Sequence, residues 1–339
     1  MKITNLFFFF FRKNPKAVFP VLKQFVLLSS KLKIFMNSKT LNLLTFFLVV
    51  CVSSFGQSAN YFFDKGVTSY YHRDYKGAIE NYTRAVQLDS GNIKAYVSRG
   101  IAKYYLQDYV GGIEDQMKAL KINPGYSDAY FNIGDCKYNL QDYPAAIENY
   151  TKAIELNPKD VMAYMSRGFT KQYINDFKGA ISDFSMAIKL KPNLADGYMS
   201  RGVAKSYLED YNGAIIDYTK AIQINSIPDA YFNRGNAKEA LNDHKGALSD
   251  FNKVIRENPK HYKAIHNRGL TKASLQDYDG ALTDFDKSLE IEPRYADAYY
   301  DRGIIKIKVG QKETGFQDLK KAAGLGHAKA KNALQNLLK

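Results

Sequence analysis

The chain has 339 residues and a formal net charge of +14, with 48 lysines and arginines against 34 aspartates and glutamates. Eight of the basic residues and none of the acidic ones lie in residues 1–56, so the rest of the chain has 40 basic and 34 acidic residues in alternation. This mixed distribution excludes the basic stripe that is typical of nucleic-acid-binding proteins, and no nucleic-acid partner is predicted.

The segment 36–56 has the organisation of a secretory signal peptide. A lysine near its start is followed by a mostly apolar run over 41–55, and the small residues Ser54 and Gly56 precede a possible cleavage site before Gln57. This order is typical of a cleaved export signal. We therefore predict a mature chain that begins at Gln57 and is exported to the periplasm or the extracellular space, with a Gram-negative envelope as the favoured location.

Residues 1–35 show no such order. We interpret them as a mis-called upstream start, with Met36 as the true first residue, or as an unstructured leader. The alternative for 36–56 is retention as a membrane anchor, although its apolar run is shorter than the roughly 20 residues of a transmembrane helix. The mature protein is predicted not to span a membrane unless this segment is retained.

A glycine recurs through the rest of the chain at a nearly constant spacing. The interval is 34 residues at every step but one, which is 33, and the glycines are Gly66, Gly100, Gly134, Gly168, Gly202, Gly235, Gly269 and Gly303. Such a period is typical of a solenoid, in which each unit is too small to bury its apolar face alone and stacks on its neighbours. The array is predicted to occupy 57–329, with units 59–92, 93–126, 127–160, 161–194, 195–227, 228–261, 262–295 and 296–329.

Each unit has the signals of two helices joined by a turn. Counted from the first residue of a unit, position 8 is always glycine, position 20 is alanine or glycine, and position 27 is alanine in six units, so two helix backbones can approach closely. Position 4 is aromatic in seven units, and its ring is expected to fill the space beside the glycine. Aspartate at position 16 in seven units is placed to cap the second helix, which proline at position 32 stops in five units.

This pattern resembles the tetratricopeptide repeat family, whose 34-residue units form a helix-turn-helix with aromatic, Gly, Tyr, Ala, aromatic, Ala and Pro at matching positions. The resemblance covers about residues 59–329. It implies an all-α fold, a right-handed superhelical solenoid of eight helix-turn-helix tetratricopeptide repeats. The last repeat departs from the pattern, and "HAKAKNALQNLLK" predicts a C-terminal capping helix that ends in residues 330–339.

One position departs from the family pattern systematically. Position 7, usually leucine, is arginine in six repeats, and position 23 is aspartate in those six repeats only. This co-occurrence predicts a partly buried ion pair between the two helices of each hairpin. The alternative is an exposed row that binds phosphate or carboxylate. The predicted pairs are Arg99–Asp115, Arg167–Asp183, Arg201–Asp217, Arg234–Asp250, Arg268–Asp284 and Arg302–Asp318.

The sequence offers little for catalysis. The five histidines are scattered through the repeats without the spacing of a zinc site, and no glycine cluster follows a strand as in a phosphate-binding loop. Cys136 occupies position 10, which holds Thr, Ala or Ile in the other repeats, so it is expected to be a packing residue. We predict a non-enzyme that uses neither a cofactor nor a metal.

Helical geometry indicates a recognition surface. At about 100° per residue, positions 2, 5, 9, 12 and 13 of the first helix lie opposite the face that packs on the second helix. In the tetratricopeptide repeat family this face lines the concave groove in which partner peptides bind. The alternative for any of these rings is packing against the adjacent repeat. The resemblance implies partner contacts by Phe63, Tyr70, Tyr71, Val97, Tyr104, Tyr105, Phe131, Tyr138, Met165, Phe169, Tyr173, Met199, Tyr207, Phe232 and His266.

The same positions indicate the kind of partner. Family members that clamp the carboxylates of chaperone tails have Lys and Asn at positions 5 and 9, and the first three repeats have neither residue at these positions. An apolar or aromatic-rich peptide, or an amphipathic helix, is therefore the predicted ligand.

The predicted function is a non-catalytic protein–protein interaction scaffold outside the cytoplasm. One alternative is a structural spacer or self-assembling envelope subunit, including a groove filled by the C-terminal helix of a second copy. The other is a glycan-binding module that stacks sugar rings on Tyr104, Tyr105, Tyr138, Tyr173 and Tyr207.

Overall fold

The computed structural model describes residues 58–337, where every regular element is an α-helix. The predicted leader 1–35 and signal peptide 36–56 lie outside these residues. Between 58 and 337, no helix combines the length and the apolar composition needed to cross a membrane. In chain order the helices are α1 (Ala59–Tyr71), α2 (Tyr75–Leu88), α3 (Ile93–Tyr105), α4 (Tyr109–Ile122), α5 (Ser127–Asn139), α6 (Tyr143–Leu156), α7 (Val161–Tyr173), α8 (Phe177–Leu190), α9 (Ala195–Tyr207), α10 (Tyr211–Ile224), α11 (Pro228–Ala240), α12 (His244–Glu257), α13 (Tyr262–Ser274), α14 (Tyr278–Ile291), α15 (Ala296–Lys308), α16 (Lys312–Gly324) and α17 (Ala328–Leu337).

Two kinds of helix alternate along the array. The first helix of each repeat, termed the A helix, covers positions 1–13, and the second, the B helix, covers positions 17–30 in the first seven repeats. The eighth hairpin is followed by α17, in the place predicted for a capping helix. The predicted all-α array of eight helical hairpins is confirmed.

The chain divides into two compact units between Asp142 and Tyr143. The first unit contains α1 to α5, and the second contains α6 to α17. Within each unit every helix packs on the next one along the chain, and consecutive A helices also contact each other. The first unit therefore consists of two hairpins followed by α5, and the second consists of α6 followed by five hairpins and α17. In each unit the A helices lie side by side, as a recognition surface on these helices requires.

A three-residue turn joins the two helices of each hairpin. Asp74 at position 16 caps the B helix, because its Oδ1 accepts a hydrogen bond of 2.9 Å from the backbone N–H of Gly77, and five other repeats repeat this bond. A Cβ on Gly77 would lie 2.1 Å from the carboxylate, which explains glycine at position 19. Position 15 lies in the left-handed region in all eight turns, at Arg73, Gln107, Gln141, Asn175, Glu209, Asn242, Gln276 and Gly310.

In the first seven repeats the B helices end at position 30 whether or not proline follows. Helix α8 ends two residues before Pro192, and α2 ends two residues before Ser90. In both, position 31 leaves the helical region, with φ of −133° at Lys191 and −140° at Asp89. Proline at position 32 therefore marks the helix end without being required for it.

The glycine at position 8 receives a ring from position 24 of the B helix. In repeat four, a Cβ on Gly168 would lie 2.7 Å from Phe184 Cε1, and four other repeats have the same contact. The expectation that the ring at position 4 fills this space is wrong. That ring is three residues before the arginine at position 7, on the same helix face, and it lies beside the guanidinium instead, 5.7 Å from ring centroid to Cζ for Tyr164 and Arg167.

Candidate functional site

Exposed tyrosines lie at the C-terminal ends of the A helices in both units. At position 13, Tyr71, Tyr105, Tyr173 and Tyr207 are 80%, 51%, 62% and 65% exposed. Phe169 adds an exposed ring at position 9. Repeats six to eight have no aromatic residue at position 13, so the exposed rings belong to repeats one to five.

The other predicted contact residues present less surface. Val97, Met165 and His266 are buried, because position 5 packs between repeats, as Val97 does with Ala119 and Ala129. These three side chains contribute packing rather than an accessible surface. Seven further residues are half-buried, namely Phe63, Tyr70, Tyr104, Phe131, Tyr138, Met199 and Phe232.

Three of the exposed tyrosines also pack on the preceding repeat, through the aromatic residue at its position 17. The ring planes are nearly parallel in two of these pairs, at 8° and 5°. The ammonium of Lys308 takes the place of the tyrosine in the last interface, 4.9 Å from the centroid of the Tyr278 ring. Each of these tyrosines therefore both joins two repeats and remains more than half exposed. The pairs are Tyr75–Tyr105 at 5.0 Å, Tyr143–Tyr173 at 4.6 Å and Phe177–Tyr207 at 4.6 Å between ring centroids.

In the first unit these rings form a larger cluster. The ring of Tyr70 lies 5.6 to 6.2 Å from those of Tyr71, Tyr75 and Tyr105. Burial raises the pKa of Tyr70, and its hydrogen bond with Tyr105 raises it further. The Tyr70 hydroxyl is therefore protonated at neutral pH.

Beside this cluster a cavity of about 190 Å³ lies among α3, α4 and α5. The Tyr104 hydroxyl at its edge accepts a hydrogen bond of 3.0 Å from Asn139 Nδ2. Burial raises the pKa of Tyr104, the bond from Asn139 lowers it, and the negative charge of Asp135 raises it again. The lining includes Tyr104, Tyr105, Gln116, Phe131, Asn132 and Asp135.

Cys136 also borders the cavity and is buried. Its Sγ would lie 3.2 Å from a Cβ on Gly112, so the sulfur fills the space that a side chain at position 20 would take. Burial, together with the negative charge of Asp135, raises the pKa of the Cys136 thiol to about 12. The thiol is therefore protonated at neutral pH and lacks the thiolate that nucleophilic attack needs.

Each of the six arginines at position 7 bonds to the aspartate predicted for it. The guanidinium donates from Nη2 to Oδ1 at 2.5 to 2.6 Å and from Nε to Oδ2 at 2.8 to 3.0 Å. The lysine at position 11 adds a second cation at 2.8 to 2.9 Å from the same carboxylate. All six aspartates are buried, so these bidentate pairs lie inside the hairpins.

The same arginines also join consecutive repeats, which the sequence did not predict. Arg99 Nη1 donates to Thr83 Oγ1 at 3.1 Å, and Arg302 Nη1 donates to Asp286 Oδ1 at 2.6 Å. Threonine, serine or asparagine at position 25 of the preceding repeat accepts this bond in the other four cases. These bonds could have been predicted from the sequence, because each preceding repeat has a polar residue at position 25.

In the last two repeats a partly buried polar network surrounds His266. His266 Nε2 lies 2.8 Å from Asp301 Oδ2, and its Nδ1 lies 3.2 Å from Asn267 Oδ1. The hydroxyl of Tyr295 is 3.4 Å from the same Nδ1. His266 was predicted to contact a partner, and its ring nitrogens are instead engaged within the protein.

Within 58–337, no group of three or more His, Cys, Asp and Glu side chains is arranged to hold a metal ion. The exposed side chains at position 13 of the A helices in repeats one to five, here termed the A-helix face, are four tyrosines and Asn139. This composition suits the binding of another molecule by packing and hydrogen bonds.

Comparisons with known proteins agree with this architecture. Profiles described as tetratricopeptide repeat match residues 127–160, 195–227 and 228–261, and a profile described as TPR repeat matches 269–310. No curated protein sequence matches the chain.

Solved structures show the same fold. A tetratricopeptide repeat protein from Parabacteroides merdae ATCC 43184 is 20% identical, with a TM-score of 0.57 over 73% of this chain and 99% of that one. PilF of Pseudomonas aeruginosa is 15% identical, with a TM-score of 0.52 over 59% of this chain and 92% of that one. One chain in the structure of the APC/C hetero-tetramer Cut9-Hcn1 is 14% identical, with a TM-score of 0.52 over 84% of this chain and 56% of that one.

Hairpins of two helices, repeated at 34 residues and stacked through small side chains, define a class of α-helical repeat proteins that present an extended binding surface. Their arrays typically serve as non-catalytic scaffolds for protein–protein interaction. The chain is a tetratricopeptide repeat protein.

Proposed function

We propose that this protein is a non-catalytic scaffold that binds a protein or peptide partner on the A-helix face outside the cytoplasm. The observation that carries the proposal is the set of exposed tyrosines at position 13, four rings that are 51% to 80% exposed in repeats one to five. Tyrosine supplies a large contact area and a hydroxyl at low entropic cost, which suits a recognition surface. Export rests on the signal-like segment 36–56.

The surroundings of these rings favour an apolar or aromatic partner. The ring pairs between position 13 and position 17 of the preceding repeat hold Tyr105, Tyr173 and Tyr207 in place before a partner arrives, so less conformational entropy is lost on binding. The first three repeats lack the lysine and asparagine of a carboxylate clamp. An extended apolar segment or an amphipathic helix is therefore the preferred ligand.

A matched pair of variants tests the proposal. The face variant combines Tyr71→Ser, Tyr173→Ser and Tyr207→Ser in the full chain. The control variant changes two B-helix residues of similar exposure, Val110→Ser and Ile216→Ser, which are 61% and 68% exposed. Each immobilised chain is exposed to an envelope extract, and retained proteins are identified after equal folding is verified by circular dichroism.

A protein retained by the parent and the control but lost by the face variant would support the proposal and identify the partner. Equal retention by all three chains would contradict it. Retention of carbohydrate that survives protease treatment of the extract would favour the glycan-binding alternative. Concentration-dependent oligomers that the face variant leaves unchanged would favour the spacer or self-assembling alternative.

A further inference from the structure

The row of ring pairs is interrupted between repeats five and six. Position 17 of repeat five is Tyr211, but position 13 of repeat six is Ala240. In three other interfaces a tyrosine at position 13 lies 4.6 to 5.0 Å from the position-17 ring of the preceding repeat, and in the last interface the Lys308 ammonium lies 4.9 Å from it. Among the residues that the structure describes, neither a ring nor a cation lies on Tyr211. Alanine therefore leaves a space of the size of a ring, here termed the Tyr211 slot.

The packing of Tyr211 places this slot beside Ala240. Tyr211 packs against a buried cluster that includes Ala237 of α11. Ala240 follows Ala237 by three residues and therefore lies on the same side of α11. Because Tyr211 is half-buried and Ala240 is exposed, the slot opens to solvent at the end of an A helix. Tyr207, at position 13 of the preceding repeat, is 65% exposed, so the slot continues the A-helix face into repeat six.

The acidic side chain next to Ala240 is directed to the following interface. Glu239 Oε2 lies 3.0 Å from His244 Nδ1, and Glu239 Oε1 accepts a hydrogen bond of 3.4 Å from Ser274 Oγ. His244 and Ser274 occupy positions 17 and 13 of the interface between repeats six and seven. Glu239 therefore neither fills the Tyr211 slot nor supplies a counter-charge for a cation in it.

We propose that the partner inserts an aromatic side chain into the Tyr211 slot and stacks it on the Tyr211 ring, in the place that tyrosine takes in repeats two, four and five. This inference rests on the proposed function and specifies the partner's chemistry at one point of contact. A ring is favoured over an ammonium because rings make three of the four contacts of this kind within 58–337 and because Glu239 is engaged elsewhere. A ring is favoured over an aliphatic group because aromatic pairs attract each other beyond the effect of the area that they bury.

Two variants remove the slot in different ways. Ala240→Tyr fills it with the residue that repeats two, four and five have at position 13, so the hairpin should fold unchanged. Tyr211→Leu keeps an apolar side chain at position 17 but removes the ring. Ser274→Tyr is the matched control, because it adds a tyrosine at position 13 one repeat further on, where position 17 of the preceding repeat is His244. Equal folding of all chains is verified by circular dichroism.

The first test uses p-cresol, its saturated counterpart 4-methylcyclohexanol and n-butylammonium as probes of the full chain. 3-Fluorotyrosine is incorporated at residue 211, and its ¹⁹F signal reports binding. The same label at Tyr143, whose ring already lies 4.6 Å from that of Tyr173, is the control. We expect p-cresol to shift the signal of residue 211 saturably and the other two probes to bind at least about twofold more weakly. Ala240→Tyr should abolish the shift.

Several results of this titration would overturn the assignment. Equal or tighter binding of 4-methylcyclohexanol would indicate an apolar space without ring stacking, and tighter binding of n-butylammonium would indicate a cation site. An unchanged shift in Ala240→Tyr, an equal response at residue 143, or no saturable shift by p-cresol would show that the slot does not bind a ring.

The second test uses a partner identified with the immobilised chain. Each aromatic residue of its bound segment is replaced by leucine, and dissociation constants are measured by calorimetry. One such change should weaken binding to the parent about two- to tenfold and have a much smaller effect on binding to Ala240→Tyr. Ala240→Tyr and Tyr211→Leu should each bind the unchanged partner about two- to tenfold more weakly than the parent, and Ser274→Tyr should bind it as tightly as the parent.

The outcomes separate this inference from the proposed function. A partner that is lost by the face variant but binds Ala240→Tyr as tightly as the parent, or more tightly, would leave the proposed function standing and overturn only this inference. If p-cresol binds but no aromatic change in the partner matters, the slot takes a free aromatic molecule and its assignment to the partner is wrong.

Discussion

The hairpins of repeats two and four share the contacts that join their two helices, but they differ in the residue that packs between the helices at position 24. Both have glycine at position 8 and a bidentate arginine–aspartate pair between the helices. In repeat four, Phe184 lies fully buried against Gly168, whereas in repeat two Gln116 is among the residues around a cavity and the Cys136 sulfur fills the space beside Gly112. The ion pair and the small residues hold the two helices together in both cases. The residue at position 24 can therefore change from a core ring to a polar group without loss of the hairpin.

The largest loss of stability is expected when position 24 of repeat four is given the glutamine of repeat two. Phe184→Gln removes a fully buried ring and buries an amide in its place, so the free energy of unfolding should fall by about 3–5 kcal/mol. Urea unfolding followed by circular dichroism measures the change. Phe184→Tyr, the residue type of repeat five, is the control and should cost less than about 1.5 kcal/mol. A loss below that value for Phe184→Gln would show that the ring is not needed for packing.

Asp183 tests the arginine–aspartate pair that both repeats share. Asp183→Ala leaves Arg167 and Lys171 without their buried counter-charge, and it should cost about 3 kcal/mol. The control is the double variant Arg167→Ile and Asp183→Asn, which reproduces the residues of repeat three at these positions. We expect the double variant to recover more than half of the loss in urea unfolding. A double variant as unstable as Asp183→Ala would contradict an ion-pair role.

The free energy of unfolding should depend on high pH where position 24 is a buried tyrosine, and not where it is phenylalanine. Burial raises the pKa of Tyr218 to about 12, against about 10 in the unfolded chain. Its contribution to stability is therefore fully present below pH 10 and is lost as the pH rises from 10 towards 12, by roughly 2 kcal/mol. Tyr218→Phe should lack this part of the pH dependence when unfolding is measured at pH 9 and pH 11. Identical slopes for the two chains would contradict burial of the Tyr218 hydroxyl.

The reciprocal exchange in repeat two should stabilise the protein. Gln116→Phe fills the cavity with apolar volume and removes an acceptor without a hydrogen bond, so the free energy of unfolding should rise by about 1–2 kcal/mol. The same urea experiment measures it, with Gln172→Ala as a second glutamine change. A destabilised Gln116→Phe chain with normal helix content would show that the cavity cannot take a ring.

The smallest loss of stability is expected from a change at an exposed residue. Tyr207→Ala removes a ring stacked on Phe177 at 4.6 Å, and such aromatic pairs contribute about 0.5–1.5 kcal/mol. Repeat six has alanine at this position naturally, so the hairpin should form unchanged, and calorimetry should show a melting temperature lower by a few degrees. A much larger loss would assign the tyrosine to the core rather than to the recognition surface.

Much of the fold and part of the candidate site could be predicted from the sequence. The period, the paired helices and the capping aspartates depend on residues close together in the chain, and local geometry links them directly. The partner of each arginine was also predictable, because the aspartate at position 23 is present only in the repeats that have the arginine. The face of the A helix that carries the exposed tyrosines followed from the 100° rotation per residue.

Contacts between separate helices could not be predicted in this way. The sequence placed a ring and a glycine in each hairpin, but only the packed helices showed that position 24, not position 4, meets the glycine. Likewise, positions 5 and 13 share one face of the A helix, yet Val97, Met165 and His266 are buried and Tyr71 is 80% exposed. Periodicity indicates which side chains share a face, whereas the distance and angle between helices decide which of them are covered and where a cavity remains.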